Sequence, residues 1–273
     1  MLEPSSSDIV DLRVSVLLPQ AIMSPMDPDP GAHVVNAVVQ ARASSTRLPG
    51  KVLRPLAGRS VLGWVVRAAA ASPGIDAVVV ATSTEAEDDA VAEEATRHGA
   101  LVARGPLEDV LARFAVAVES YPADAVVRLT ADCPLLDPAL IGQLVTLWRA
   151  RPSLDYLSTT LVRTLPRGFD AELVRGAVLA EQVETARGAD REHVTSGIYS
   201  RPEIYSCSGV VVSPSADDLR VTLDTVEDWS VIEGVVAELG DRPGDWREVV
   251  AVLRRRPDLA RLNQHVEQKK VAR

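Results

Sequence analysis

The sequence predicts an α/β protein with a mostly parallel central sheet and helices on both faces. Three observations carry that prediction. Short, continuous apolar runs such as 76–82 (DAVVVAT) and 124–130 (DAVVRLT) recur along the chain, and uninterrupted runs of this length suit strands buried on both sides. Stretches of helical composition, about 12 to 15 residues long, separate them, as parallel crossovers require. Polar segments follow the strands: QARASSTR, ATST, ARG and TADCP each come where an apolar run ends. Ligands of open parallel sheets bind beyond the carboxyl ends of the strands, so these four segments predict a site on one edge.

Taken in order, residues 1–32 carry Ser5-Ser6-Ser7 and Pro19, Pro25, Pro28 and Pro30, and read as a disordered N-terminal extension. A single domain is expected over 33–257, opening with a buried strand at 34–40. Ser60 can cap a helix over 60–71. A strand at 76–82 precedes an acidic amphipathic helix, 85–98, which Gly99 stops. A short strand at 100–103 leads to a helix at 106–120 with proline in its first turn. A strand at 124–130 and a helix at 138–151 follow. The pattern then loosens, with strands at 155–160 and 169–174, a helix at 176–187 and a segment 190–199 containing REHVT. Strands at 203–213 and 219–223, and helices at 226–239 and 246–255, close the domain. Residues 258–273 read as a polar tail.

Composition excludes several classes of function. The chain has 273 residues, a net charge of −9 and 4% aromatic residues. An acidic protein with few rings is poorly suited to nucleic acid or an anionic membrane. Two cysteines, Cys133 and Cys207, make neither a disulfide framework nor a zinc motif. No apolar run reaches 18 residues. Glu3, Asp8 and Asp11 precede the short apolar run 14–18, which is not the pattern of a signal peptide. The expectation is a reduced, cytoplasmic protein.

The distribution of charge is more informative than its total. From Pro30 to Ile75 there is no Asp or Glu, although the chain holds 38, while Arg42, Arg47, Lys51, Arg54, Arg59 and Arg67 all fall in that window. Its centre is Q40-ARASSTRLPG-K51. Gln40 ends the first strand, and Ser44, Ser45, Thr46 and Gly50 lie among the cations Arg42, Arg47 and Lys51. Each cation near 4 Å from a phosphate contributes about 4 kcal/mol at intermediate dielectric, and backbone amides of the loop add donors. The segment therefore suits a triphosphate; the alternative is a plain surface loop. It is neither GxxxxGK[ST] nor GxGxxG.

Asp132, in Thr130-Ala131-Asp132-Cys133-Pro134, follows a buried strand, and Asp224, in RVTLDT, has the same strand-end position. Two carboxylates facing one cleft suit Mg²⁺, which takes its remaining ligands from phosphate and water. The alternative for each is a helix or turn cap, although Asp137 and Thr225 are placed to cap instead. Cys133 reads as a small packing residue rather than a nucleophile.

QARASSTRLPGKVL, RLTADCPLLDP, GFDAE, REHVT and RVTLDTVED, in that order over 34–239, resemble the cytidylyltransferase family of the spore-coat polysaccharide SpsF type. These proteins are related to CMP-KDO and CMP-sialic acid synthetases. The resemblance implies a nucleotide-diphospho-sugar transferase-like (Rossmann-like) fold, and transfer of CMP from CTP to an acidic sugar or similar acid with release of pyrophosphate. It implies that Arg42, Arg47 and Lys51 hold the triphosphate, with Arg47 and Lys51 acting on the departing pyrophosphate and Asp132 and Asp224 binding Mg²⁺. Thr82, Ser83 and Arg104 match positions lining the base pocket, Gly105 lets the base approach, and Glu108-Asp109-Val110 matches the element after it. A homodimer assembled through the second half is also implied.

The acceptor site is expected in the less regular region, about 155–215. Its candidates are Arg167, Phe169, Asp170 and Glu172 of RGFDAE, and Arg191, Glu192 and His193 of REHVT. The arginines suit an acidic acceptor and the carboxylates suit sugar hydroxyls; His193 is either a general base or a structural histidine. REHVT continues as Ser196-Gly197, where the family resemblance would place a proline. Two rivals remain, a glycosyltransferase using a nucleotide sugar and a non-catalytic nucleotide-binding protein. The first usually needs a DxD motif, which Asp132-Cys133-Pro134 does not supply.

Overall fold

The computed structural model describes Ser15, Val16, residues 33–45 and residues 47–267. Apart from Ser15 and Val16, the expected N-terminal extension lies outside the described residues, as do Thr46 and the tail beyond residue 267. The strands are β1 (Ser15–Val16), β2 (Val35–Gln40), β3 (Pro55–Leu56), β4 (Arg59–Ser60), β5 (Ala77–Ser83), β6 (Leu101–Gly105), β7 (Ala125–Thr130), β8 (Tyr156–Ser158), β9 (Glu172–Arg175) and β10 (Cys207–Gly209). The helices are α1 (Val61–Ala70), α2 (Asp89–Arg97), α3 (Val110–Ser120), α4 (Pro138–Ala150), α5 (Gly176–Thr185), α6 (Ala189–His193), α7 (Ser196–Tyr199), α8 (Val226–Leu239), α9 (Trp246–Arg255) and α10 (Pro257–Ala260).

Among the described residues, eight strands form one sheet in the order β1-β10-β8-β9-β7-β2-β5-β6, while β3 and β4 make a separate ribbon. All neighbours in the large sheet are parallel except β9, which runs against both β7 and β8. Alternate residues of each central strand enter different cores. Val35, Ala37 and Val39 of β2 pack with α1 and α4 on one face, and Val38 packs with α3 and α5 on the other. Helices therefore cover both faces, as the unbroken apolar runs predict. A third cluster joins α8 and α9 to Trp64, Leu135, Phe169 and Val221.

The local signals mostly act as expected. Ser60 caps α1 through Gly63 N–H (3.0 Å), and Asp137 caps α4 through Ala139 N–H (2.7 Å). Thr225 and Asp228 form a reciprocal capping box on α8. Helix α3 starts at Val110 rather than near Pro106, because Asp109 accepts the Ala112 N–H (2.9 Å) and sets the first turn there. Residues 219–223 contribute one bridge, Arg167↔Arg220, in place of the expected strand. Among the described residues no helix is long and apolar enough to cross a membrane.

Register aligns the strand ends. Gln40 lies opposite both Ala81 and Thr130, and Thr82 and Ser83 lie opposite Arg104 and Gly105. The four polar segments therefore leave the sheet along one edge.

Candidate active site

The loop after β2 is pinned at its neck. Ala43 N–H donates to Asp88 Oδ1 (2.6 Å), and Ala43 C=O accepts from Gly50 N–H (3.1 Å). Gly50 has φ +67°, a conformation glycine adopts at little cost, and the chain then turns directly into a short 3₁₀ helix, Lys51–Leu53. Asp88 is 1% exposed and also accepts from the Ser83 N–H (3.1 Å) and hydroxyl. Burial pushes its carboxyl upward, but the hydrogen bonds from Ala43 and Ser83 outweigh that and hold it below the usual range. Sequence reasoning missed Asp88. It sits in a run containing Glu85, Glu87, Asp88 and Asp89, and nothing in their spacing singles it out. Arg42 and Arg47 are exposed, and Ser44 and Ser45 are half-buried; Ser45 Oγ accepts from Leu48 N–H (3.4 Å).

Lys51 brings together Asp132, just beyond β7, and Asp224, which follows the single-bridge segment 219–223 instead of the expected strand. Its Nζ donates to Asp132 Oδ2 (2.8 Å), Asp224 Oδ1 (2.9 Å) and the Leu223 carbonyl (2.6 Å). Asp224 Oδ2 pairs with Arg47 Nη2 (3.0 Å) and Arg220 Nη2 (2.7 Å). Arg220 in turn donates to Asp228 through Nε (2.8 Å) and Nη2 (3.1 Å). Burial favours a neutral Lys51, but Asp132 and Asp224 prevail and its pKa lies above the ordinary lysine value. Burial likewise opposes the Asp224 carboxylate, yet Lys51, Arg220 and Arg47 hold its pKa down. Because Thr225 caps α8, the Asp224 side chain is left to this cluster. Cys133 is buried, and burial with the nearby Asp132 and Asp170 pushes its thiol well above the ordinary value, so it is a poor nucleophile. Thr130 Oγ1 lies 3.3 Å from Cys133 Sγ.

On the β5–β6 side, Thr82 and Ser83 are buried. Arg104 reaches across to the carbonyls of Ser83 (2.8 Å) and Glu85 (3.0 Å) and pairs with Asp89 (2.7 Å). A Cβ on Gly105 would stand 3.2 Å from Arg113 Cγ and 3.3 Å from Arg113 Cα, so the glycine makes room for that helix. Asp109 Oδ2 accepts from Arg191 Nε (2.6 Å), tying REHVT to the start of α3.

The acceptor candidates separate into groups. Glu172 is 7% exposed and opposite Arg128 in register. Its Oε1 accepts from Tyr156 OH (2.6 Å) and Thr195 Oγ1 (2.7 Å), and its Oε2 accepts from Arg128 Nη1. Arg128 Nε continues the chain of bonds to Gln40 Oε1 (3.1 Å). Phe169 is 1% exposed, within the cluster shared with α8 and α9. Both side chains thus lie within the protein. Asp170 is held by both terminal nitrogens of Arg163 (2.8 and 3.0 Å). Arg167 has no ion-pair partner among the described residues; burial and the neighbouring Arg163 push its pKa down, with Asp170 opposing. Glu192 is exposed and His193 half-buried. Sequence reasoning also missed Arg128, whose interior strand position gave no signal of a charged partner.

A family model described as cytidylyltransferase matches residues 36–226. The chain is 33% identical over 232 residues to the spore coat polysaccharide biosynthesis protein SpsF of Bacillus subtilis, covering 82% of this chain and 95% of that protein. It is 41% identical over 141 residues to the 3-deoxy-manno-octulosonate cytidylyltransferase of Maricaulis maris, covering 51% of this chain and 53% of the relative. The solved structure of a cytidylyltransferase from Leptospira borgpetersenii matches with a TM-score of 0.81 at 28% identity, over 86% of this chain and 100% of that one. A CMP:2-keto-3-deoxy-manno-octonic acid synthetase complexed with CTP shares the fold, with a TM-score of 0.61 at 17% identity, over 76% of this chain and 100% of that one.

Proposed function

The chain belongs to the cytidylyltransferase family, and from that premise we propose that it transfers CMP from CTP to a small acidic sugar or similar acid, with Mg²⁺ and with release of pyrophosphate. The observation that carries the reading is the convergence of Lys51, Arg47 and Arg220 on Asp132 and Asp224 at the carboxyl edge of the sheet.

The donor set fits a small hard cation. Asp132 and Asp224 both reach one ammonium position within 3 Å, and Mg²⁺ is typically held by one or two carboxylates with phosphate and water. Among the described residues no group of three or more His, Cys, Asp or Glu forms a closed protein cage. A bound Mg²⁺ would neutralise phosphate charge and orient the reacting groups. The remaining work falls to the chain's own side chains. Arg42 and Arg47, both exposed on the pinned loop, draw in and hold the triphosphate. As an acceptor hydroxyl attacks the α-phosphorus in line, its proton passes to solvent, the bond to the bridging oxygen breaks and that bond's electron pair leaves with pyrophosphate. Preorganised cations aimed at that oxygen stabilise the developing charge. Arg167, with cationic neighbours and no carboxylate paired to it, is the group to anchor the acceptor's acid.

Pyrophosphate release with CTP, Mg²⁺ and a panel of acidic sugars tests the reading, and Asp132→Asn should lower turnover at least about 100-fold. Near-normal turnover of that variant would remove Asp132 from the metal assignment. Absence of pyrophosphate with every acceptor would remove the reaction itself.

A further inference from the structure

An ammonium group has three N–H bonds, and Lys51 has spent all three, on Asp132, Asp224 and the Leu223 carbonyl. Its side chain is only 11% exposed. The two carboxylates suited to a divalent cation therefore already hold a cation, and the lysine has no donor free for phosphate. The surroundings are balanced as well. Lys51, Arg47 and Arg220 face Asp132, Asp224 and Asp228, three positive groups against three negative ones. A bare dication entering here would have to expel Lys51 and leave its charge without a counter-ion in a half-closed site. A triphosphate brings its own negative charge and offers the displaced ammonium new acceptors.

We propose, building on the nucleotidyl-transfer reading above, that Lys51 is a resident substitute for the divalent cation, so that the site takes up the metal–nucleotide complex and not the free ion. Lys51 exchanges partners as that complex seats: its ammonium leaves the two carboxylates and moves to the phosphate oxygens. The four-carbon stem and freely rotating ammonium permit this, where a planar, forked guanidinium would not. No covalent bond changes in the exchange.

Mn²⁺ serves as the probe, its binding to the full chain followed by electron paramagnetic resonance without nucleotide. Wild type should bind free Mn²⁺ at least about ten-fold more weakly than Lys51→Met, an equilibrium difference of about 1.4 kcal/mol. Adding Asp132→Asn to Lys51→Met should abolish the gain, and Lys51→Gln serves if the methionine variant does not fold. Equal Mn²⁺ affinity of wild type and the lysine variants overturns the proposal, as does a gain that survives loss of Asp132. The outcome is separable from that of the reaction. Pyrophosphate release with no difference in free Mn²⁺ binding sinks the substitute role alone. A gain in Mn²⁺ affinity without CTP turnover in wild type sinks the nucleotidyl-transfer reading alone.

Discussion

A carboxylate taken out of water must find donors for its oxygens, and Glu172 finds three, in Arg128, Tyr156 and Thr195. Removing one charge of such a pair strands the other. Glu172→Gln, which leaves the Arg128 guanidinium without a counter-ion, should cost about 3 kcal/mol, read as a lower urea midpoint. An unchanged midpoint would mean that solvent screens the pair. Asp224 makes a second residue-scale prediction, through pH. Its folded pKa is depressed, so its contribution is complete above the unfolded value and is lost as pH falls through the folded one; that of Lys51, whose pKa is raised, is complete below its unfolded value and lost only in alkali. The difference in melting temperature between wild type and Asp224→Asn should therefore stay level from about pH 5 to pH 9 and shrink below about pH 4. Shrinkage already at pH 6 would contradict the depressed carboxylate. Lys51 was legible in the sequence because it lies in an acid-free segment that follows a strand, and Asp132 because it comes just after β7; Asp224 was singled out by an expected strand, 219–223, that forms one bridge only. Asp88 and Arg128 were not, since their meaning depends on partners 45 and 44 residues away.

At the scale of elements, two glycines with positive φ have opposite importance. Gly50 has φ +67° and open space where a Cβ would project; Gly168 has φ +110°, and a Cβ there would meet the Val221 carbonyl carbon at 2.6 Å. That close approach lets Arg167 bond Leu219 C=O and Val221 N–H on the segment carrying Arg220 and Asp224. Gly168→Ala should thus destabilise by at least about 2 kcal/mol, against about 1 kcal/mol for Gly50→Ala, measured by denaturant unfolding. Similar costs for the two would show that the bridge yields easily. Val194 is a further local exception, with φ +61° and ψ −54° and a 2.6 Å bond from Thr195 N–H to His193 C=O. This tight turn is strained for a β-branched residue, and it lies beside the Thr195 hydroxyl that Glu172 holds. Val, read in sequence, signals strand or core; only the tertiary network makes it a turn.

At the scale of the molecule, the first half follows its sequence closely. Each apolar run from β2 to β7 became a strand, because short unbroken runs bounded by turn residues suit strands of a sheet covered on both faces. The second half was less readable. There the strands shrink to three or four residues, too short for a pattern to set their direction, and β9 turns out to be reversed. That reversal makes the large sheet two parallel blocks meeting at a seam. The block β7-β2-β5-β6 launches the pinned loop and Asp132, while β8 and β10 lie beyond β9. Arg128 and Glu172 face each other across the seam, in register. A graft of the 155–215 block from one family member to another would therefore carry a matching condition with it. The incoming strand can vary its pocket freely, but the residue it sets opposite position 128 must remain a carboxylate, or both halves of the pair must travel together.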